Sequence, residues 1–175
     1  ITLGSGSGSV NLGGWNWNDG INSDGSVTID GSQFAGLIDN KRIIASGDVT
    51  VTVGSKGDYS AQNIGTTSDF TLDASDAVTG GIAISTISAE QISIVLGSGS
   101  GHVHLGNGWN WHDVMESRNS FALDAGSFAG EIETRIAASG EIMILGSDAS
   151  QGLFSAGVIS TNSGFTLDGT ESNGN

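Results

Sequence analysis

The sequence predicts an all-β chain wound as a right-handed parallel β-solenoid of about eight coils. Three observations predict it: a tandem duplication, a shorter period of coil length inside it, and a near absence of helix signals.

The duplication is read directly. Ile1-Thr-Leu-Gly-Ser-Gly-Ser-Gly-Ser-Val-Asn-Leu12 returns as Ile94-Val-Leu-Gly-Ser-Gly-Ser-Gly-His-Val-His-Leu105. Gly14-Trp-Asn-Trp-Asn-Asp19 returns as Gly108-Trp-Asn-Trp-His-Asp113, and Phe34-Ala-Gly36 as Phe128-Ala-Gly130. Arg42-Ile-Ile-Ala-Ser-Gly47 returns as Arg135-Ile-Ala-Ala-Ser-Gly140, and Ser68-Asp-Phe-Thr-Leu-Asp73 as Ser163-Gly-Phe-Thr-Leu-Asp168. The offset stays near 92 to 95, so residues 1–93 form a first repeat unit and 94–175 a second, in one continuous solenoid.

Within each unit, short runs of alternating apolar residues end in a small turn. They are Ile1-Thr-Leu3, Val27-Thr-Ile29, Val49 to Val53, Phe70-Thr-Leu72, Ile94-Val-Leu96, Phe121-Ala-Leu123, Ile142 to Leu145 and Phe165-Thr-Leu167. Period-two alternation and Val, Ile, Thr and Phe content mark them as strands. Their ends lie about 23 residues apart, and the turns alternate between Gly-Ser and Asp-Gly or Asp-Ala. Asn40 to Ala45 has no capping box and meets Gly47 within two turns, so no helix is expected there. Return of one residue class at one phase of each unit favours stacked coils. Each coil would then bury the apolar side of the next, with Ser and Thr facing outward. The competing architecture is two tandem β-sandwich domains, one per repeat.

Composition narrows the function. The 175 residues carry 5 Lys and Arg against 19 Asp and Glu, a net charge of −14. Such a chain repels phosphates and anionic headgroups, so neither nucleic acid nor membrane insertion is expected. Cys is absent, which excludes disulfides, thiolate metal sites and Cys nucleophiles. Pro is absent as well, and the 29 Gly show no triplet period. Apolar residues make up 37 % and charged residues 14 %, a balance that favours folding over disorder. The opening at Ile1, mid-pattern and without Met, leads us to expect a processed product or an excerpt.

Ser46-Gly-Asp-Val-Thr-Val-Thr-Val-Gly-Ser55, followed by Tyr59-Ser-Ala-Gln-Asn-Ile-Gly-Thr-Thr-Ser-Asp-Phe-Thr-Leu-Asp-Ala74, resembles the coils of filamentous-haemagglutinin-type bacterial surface proteins. Residues Ser155 to Gly169 repeat the look. The motif is shared by S-layer proteins and phage fibres. The resemblance implies an extracellular β-helix used as stalk, layer or adhesive surface. It carries over no ligand residue.

The candidate binding residues are Trp15, Asn16 and Trp17, with their second-copy counterparts Trp109, Asn110 and Trp111. On a strand, rings at i and i+2 leave one face. Beside Asn and Asp they can grip a sugar, close a broad coil or pack on a neighbouring subunit. Asp19, Asn22 and Asp24 form the densest set of oxygen ligands, so Ca²⁺ is the expected cofactor if there is one. The set fails the EF-hand pattern, because Gly25 in the sixth place would put Gly20 in the first. Asp30, Asp73, Asp124 and Asp168 each follow a strand end, where a short carboxylate usually bonds its own turn amides. His102 and His104 share a strand face with His112 nearby, a spacing that suits Zn²⁺ or Cu²⁺, but the first copy has Ser9 and Asn11 instead, so solvated imidazoles are the default reading. No carboxylate pair, nucleophile elbow or phosphate loop stands out, so no enzymatic activity is expected. The expected function is a repeat segment of an extracellular surface protein that associates with copies of itself into a filament, layer or stalk. The alternatives are a module binding cell-surface glycan through its Trp-Asn-Trp faces, and a phage fibre or tailspike segment.

Overall fold

The computed structural model describes residues 1–13, 19–77, 81–106, 113–146 and 153–169. These residues form no helix; they wind into a parallel β-solenoid of about six turns. The duplication therefore builds one stack rather than two sandwiches.

Each turn contributes one short and one long strand. The short strands are β3 (Val27–Gly31), β5 (Val49–Val53), β7 (Phe70–Ala74), β9 (Ile92–Leu96), β12 (Phe121–Asp124), β14 (Ile142–Leu145) and β16 (Phe165–Asp168). They pair in that order in a 7-stranded parallel sheet. Ile1–Leu3 adds only an isolated bridge, Thr2 to Asp30. That is why eight apolar runs in the sequence give fewer full turns.

The long strands are β4 (Leu37–Ala45), β6 (Asp58–Thr66), β8 (Ile82–Ala89), β13 (Glu131–Ala138) and β15 (Leu153–Thr161). Two rungs of this second sheet are split, into β1 (Ser9–Asn11) with β2 (Ile21–Ser23), and into β10 (His102–Leu105) with β11 (Met115–Ser117). Every described pairing is parallel, and along the interior the registers stack apolar residues on apolar residues. One interior column runs Ile21, Ile43, Ile64, Ile87, Met115, Ile136, Ile159. Another runs Val10, Ile38, Tyr59, Ile82, Val103, Ile132, Phe154. The short strands add Ile29, Val51, Leu72, Ile94, Leu123, Ile144 and Leu167. Outside that wall, Thr28, Thr50, Thr71 and Ser93 form a hydroxyl row.

Two of the turns show how the corners pack. At two of the Gly-Ser turns the apolar run extends one step further, and its last side chain covers a small residue of the rung before: Val53 over Gly31, Leu96 over Ala74. Large over small fills the corner without a void. At Gly36 and its counterpart Gly130, a Cβ would come within 2.1 Å of the carbonyl oxygens of Gly8 and Gly101, so only glycine lets adjacent coils close there.

The long strands bend. Buried positions run 38, 40, 43, 45 in β4 and 59, 61, 64, 66 in β6, a slip of one residue at mid-strand. Beyond the bend, a hydroxyl staples four of the corners to the previous coil. Thr66 Oγ1 donates to the Gly47 carbonyl at 2.6 Å and Ser117 Oγ to that of Glu90 at 2.8 Å; Ser46 Oγ and Thr161 Oγ1 donate to Asp24 and Gly140.

Candidate functional site

The two split rungs carry the Trp-Asn-Trp sequences. On β1 and β2, Asn11 pairs with Asp39 and Ile21 with Ile43, so the nine residues 12–20 stand against the three residues 40–42. On β10 and β11, Leu105 pairs with Ile84 and Met115 with Ile87, so the nine residues 106–114 stand against 85 and 86. Both insertions fall at the bend, where the uninterrupted rungs already carry an unpaired residue such as Lys41 or Gln62. They are four rungs apart on one sheet, roughly 19 Å at the spacing of stacked strands. Gly106 opens the second with φ +74°, and a Cβ on it would sit 2.7 Å from the Arg135 carbonyl oxygen. Trp15, Asn16, Trp17, Trp109, Asn110, Trp111 and His112 themselves lie outside the described residues.

Two buried polar atoms mark the same place. Asn40 and Thr134, counterparts in the two repeats, lie on the rungs that follow the insertions, and Asn40 Oδ1 and Thr134 Oγ1 find no hydrogen-bond partner among the described residues. Asn40 Nδ2 donates to the Tyr59 hydroxyl at 3.1 Å. Burial pushes the Tyr59 hydroxyl well above the usual tyrosine range, the Asn40 bond opposes that rise, and the Asp39 charge adds to it. Sequence reading missed this pair, since a lone Asn in a strand signals a turn.

Asp19 is half-buried just before β2. Asn22 is exposed on β2 opposite Ile44, and Asp24 is exposed past the strand end, its carbonyl taking the Ser46 hydroxyl. Among the described residues no three His, Asp or Glu side chains converge into a metal cluster. Asp30, Asp73 and Asp124 do cap their turns, each accepting the amide of the residue two ahead at 3.0 Å. The side-chain and amide hydrogen bonds of Ser32 hold the Asp30 carboxyl below the usual range. Ser68 and the Asp69 amide do the same for Asp48 one corner on.

His102 and His104 do share a face, with stacked rings 6.1 Å apart. Each pairs across the ladder with a carboxylate, His102 with Glu131 at 3.1 Å and His104 with Glu133 at 3.0 Å. The carboxylates come from residues 29 positions on, a separation that becomes a contact only through the parallel register. Arg118 spans three rungs, reaching Glu90 Oε2 at 3.3 Å and the Thr66 carbonyl at 2.7 Å.

No helix among the described residues is long and apolar enough to cross a membrane. The class these observations define is a parallel β-solenoid with two bend insertions. No protein-family model, curated protein or solved structure matches the chain.

Proposed function

We propose that the chain is a structural and adhesive repeat segment of an extracellular surface protein, which extends by stacking with copies of itself into a filament, layer or stalk. One observation carries the reading. Phe165 and Leu167 on the last short strand are 46 % and 54 % exposed, whereas their counterparts Phe70 and Leu72 are fully buried beneath the next rung. Among the described residues nothing pairs with the far edges of this rung, and an apolar rung with open strand edges favours addition of a further coil. The acidic surface makes a divalent cation, Ca²⁺ above all, the expected aid to bringing copies together; Asp19, Asn22 and Asp24 are its candidate ligands. Sedimentation velocity and negative-stain imaging test both points. Fibres or sheets in calcium that disperse in chelator support the reading; a monomer at high concentration in either buffer contradicts it.

A second reading is favoured by the insertions. Two copies of Trp-Asn-Trp lie in sequence between strands that place both insertions at one bend of one sheet. That spacing suits two-point attachment to a cell-surface glycan. Glycan-array binding that disappears in Trp15→Ala/Trp109→Ala, with sedimentation unchanged, would select it.

A further inference from the structure

We propose that His102 and His104 chelate one divalent transition-metal ion of the Zn²⁺ and Cu²⁺ class on the outward face of β10. Glu131 and Glu133 act as positioning residues that hold the two imidazoles ready for it.

The site is made across two rungs. β10 and β13 pair in register, so His102 stands beside Glu131 and His104 beside Glu133. Each Nδ1 donates to its carboxylate, at 3.1 and 3.0 Å. An imidazole that donates from Nδ1 carries its free lone pair on Nε2. Carboxylates orient metal-binding histidines in this way: they fix the tautomer, fix the ring and raise the basicity of the other nitrogen. The two rings are 6.1 Å apart and within 7° of parallel. Both Nδ1 atoms turn to the same neighbouring rung, so both Nε2 tips leave one face. The side chains are 69 % and 41 % exposed, so an ion reaches them from water. The rung on the other side is low: Ala83 faces His104, and Gly81 precedes Ile82, the partner of Val103. Asp58 Oδ1 accepts the Gly81 amide at 2.6 Å, which adds a carboxylate on that side.

The duplication shows that these side chains go together. In the first copy the same ladder positions hold Ser9 with Leu37 and Asn11 with Asp39. The interior pair between them is kept, Val10 on Ile38 in one copy and Val103 on Ile132 in the other. An imidazole with a carboxylate opposite it occurs twice in the second copy and at neither place in the first, so the stack itself does not require the set. Lys or Arg would serve a plain ladder of ion pairs better, since both keep their charge. Imidazole adds a nitrogen lone pair, the donor that borderline divalent ions select. Chelation asks the rings to lean together until each Nε2 lies about 2.0–2.1 Å from the ion. The two Glu side chains, each 33 % exposed, are free to follow. Among the described residues no third His, Asp or Glu converges there, so water fills the remaining positions. The site shares no residue with Asp19, Asn22 and Asp24 and stands independently of the stacking reading.

Calorimetric titration of Zn²⁺ into the full chain, in a buffer that does not bind metal, is the test. One equivalent per chain is expected. His102→Ala and His104→Ala should each weaken binding at least tenfold, because each leaves a single imidazole. Both positions are outward, so the far-UV spectrum should stay unchanged. Glu131→Gln combined with Glu133→Gln should weaken binding about tenfold, the usual effect of losing the partners that orient metal-binding histidines. Excess Ca²⁺ should not displace Zn²⁺, since a hard cation selects oxygen ligands. Loaded one-to-one with Cu²⁺, the chain should show electron paramagnetic hyperfine coupling to two imidazole nitrogens, a signature that a merely structural His–Glu ladder does not give. No binding at millimolar Zn²⁺, unchanged affinity in either single His variant, displacement by Ca²⁺, or coupling to fewer than two nitrogens overturns the site. Unchanged affinity in the double Glu variant overturns the positioning role.

Discussion

Tyr59 and Asn40 are the residues whose environment departs most from what their types suggest. Both are fully buried and bonded to each other. The raised hydroxyl of Tyr59 sets a pH dependence. Its folded value lies above the unfolded value of about 10, so the stabilisation is complete below pH 10. It falls above that as the unfolded chain ionises first. Urea titrations between pH 9 and 11 should show wild type losing stability faster than Tyr59→Phe. At pH 7 the same variant should be about 1 kcal/mol less stable, because Asn40 loses its partner. Thr134 offers the opposite case. Its hydroxyl is buried and has no partner among the described residues, so Thr134→Val should raise stability by about 1 kcal/mol. At this scale the sequence was partly legible. The capping aspartates could be read from strand ends, because an Asx turn is local. Asn40, Thr134 and the His–Glu pairs could not, because their partners and burial come from neighbouring coils.

Strands differ in how openly they announce themselves. The short strands are straight, so two-residue alternation survives from Val27 to Ile29 and from Phe165 to Leu167. The long strands β4, β6 and β8 slip phase at the bend, which scrambles the alternation in Leu37–Ala45 and hides a nine-residue strand, whereas β13 keeps its alternation. The Trp-Asn-Trp stretches read as strand segments from spacing alone, yet their flanks belong to split rungs. If the insertions are enlarged bulges, the stack does not need them. A variant with residues 12–20 replaced by three residues and 106–114 by two, matching the facing strands, should keep its far-UV spectrum and melt cooperatively; loss of the β signal would show that the insertions hold the rungs. The interior columns are needed. Ile64→Ala should cost about 2–5 kcal/mol by urea denaturation, while Thr50→Ala, on the outward row, should stay within about 0.5 kcal/mol.

For the whole molecule, the duplication and the 23-residue period were sufficient to give the architecture. A coil cannot bury its own apolar side, so repetition at coil length implies stacking. The number of turns was overstated, because an apolar run at a terminus need not form a full rung. What fills the insertions and what seats on the last rung depend on surfaces that repeat spacing does not describe. The central claim is that consecutive runs lie in parallel, in register, one rung apart. The absence of Cys lets spin labels be placed at will. Thr28, Ala122, Met143 and Thr166 stand in one outward row. Pulsed electron–electron resonance from a label at position 28 to labels at 122, 143 and 166 is the most direct test. The account predicts backbone separations of roughly 19, 24 and 29 Å, rising by one strand spacing per rung. Distances that fail to rise in that order, or that scatter as between two independent globules, would contradict it.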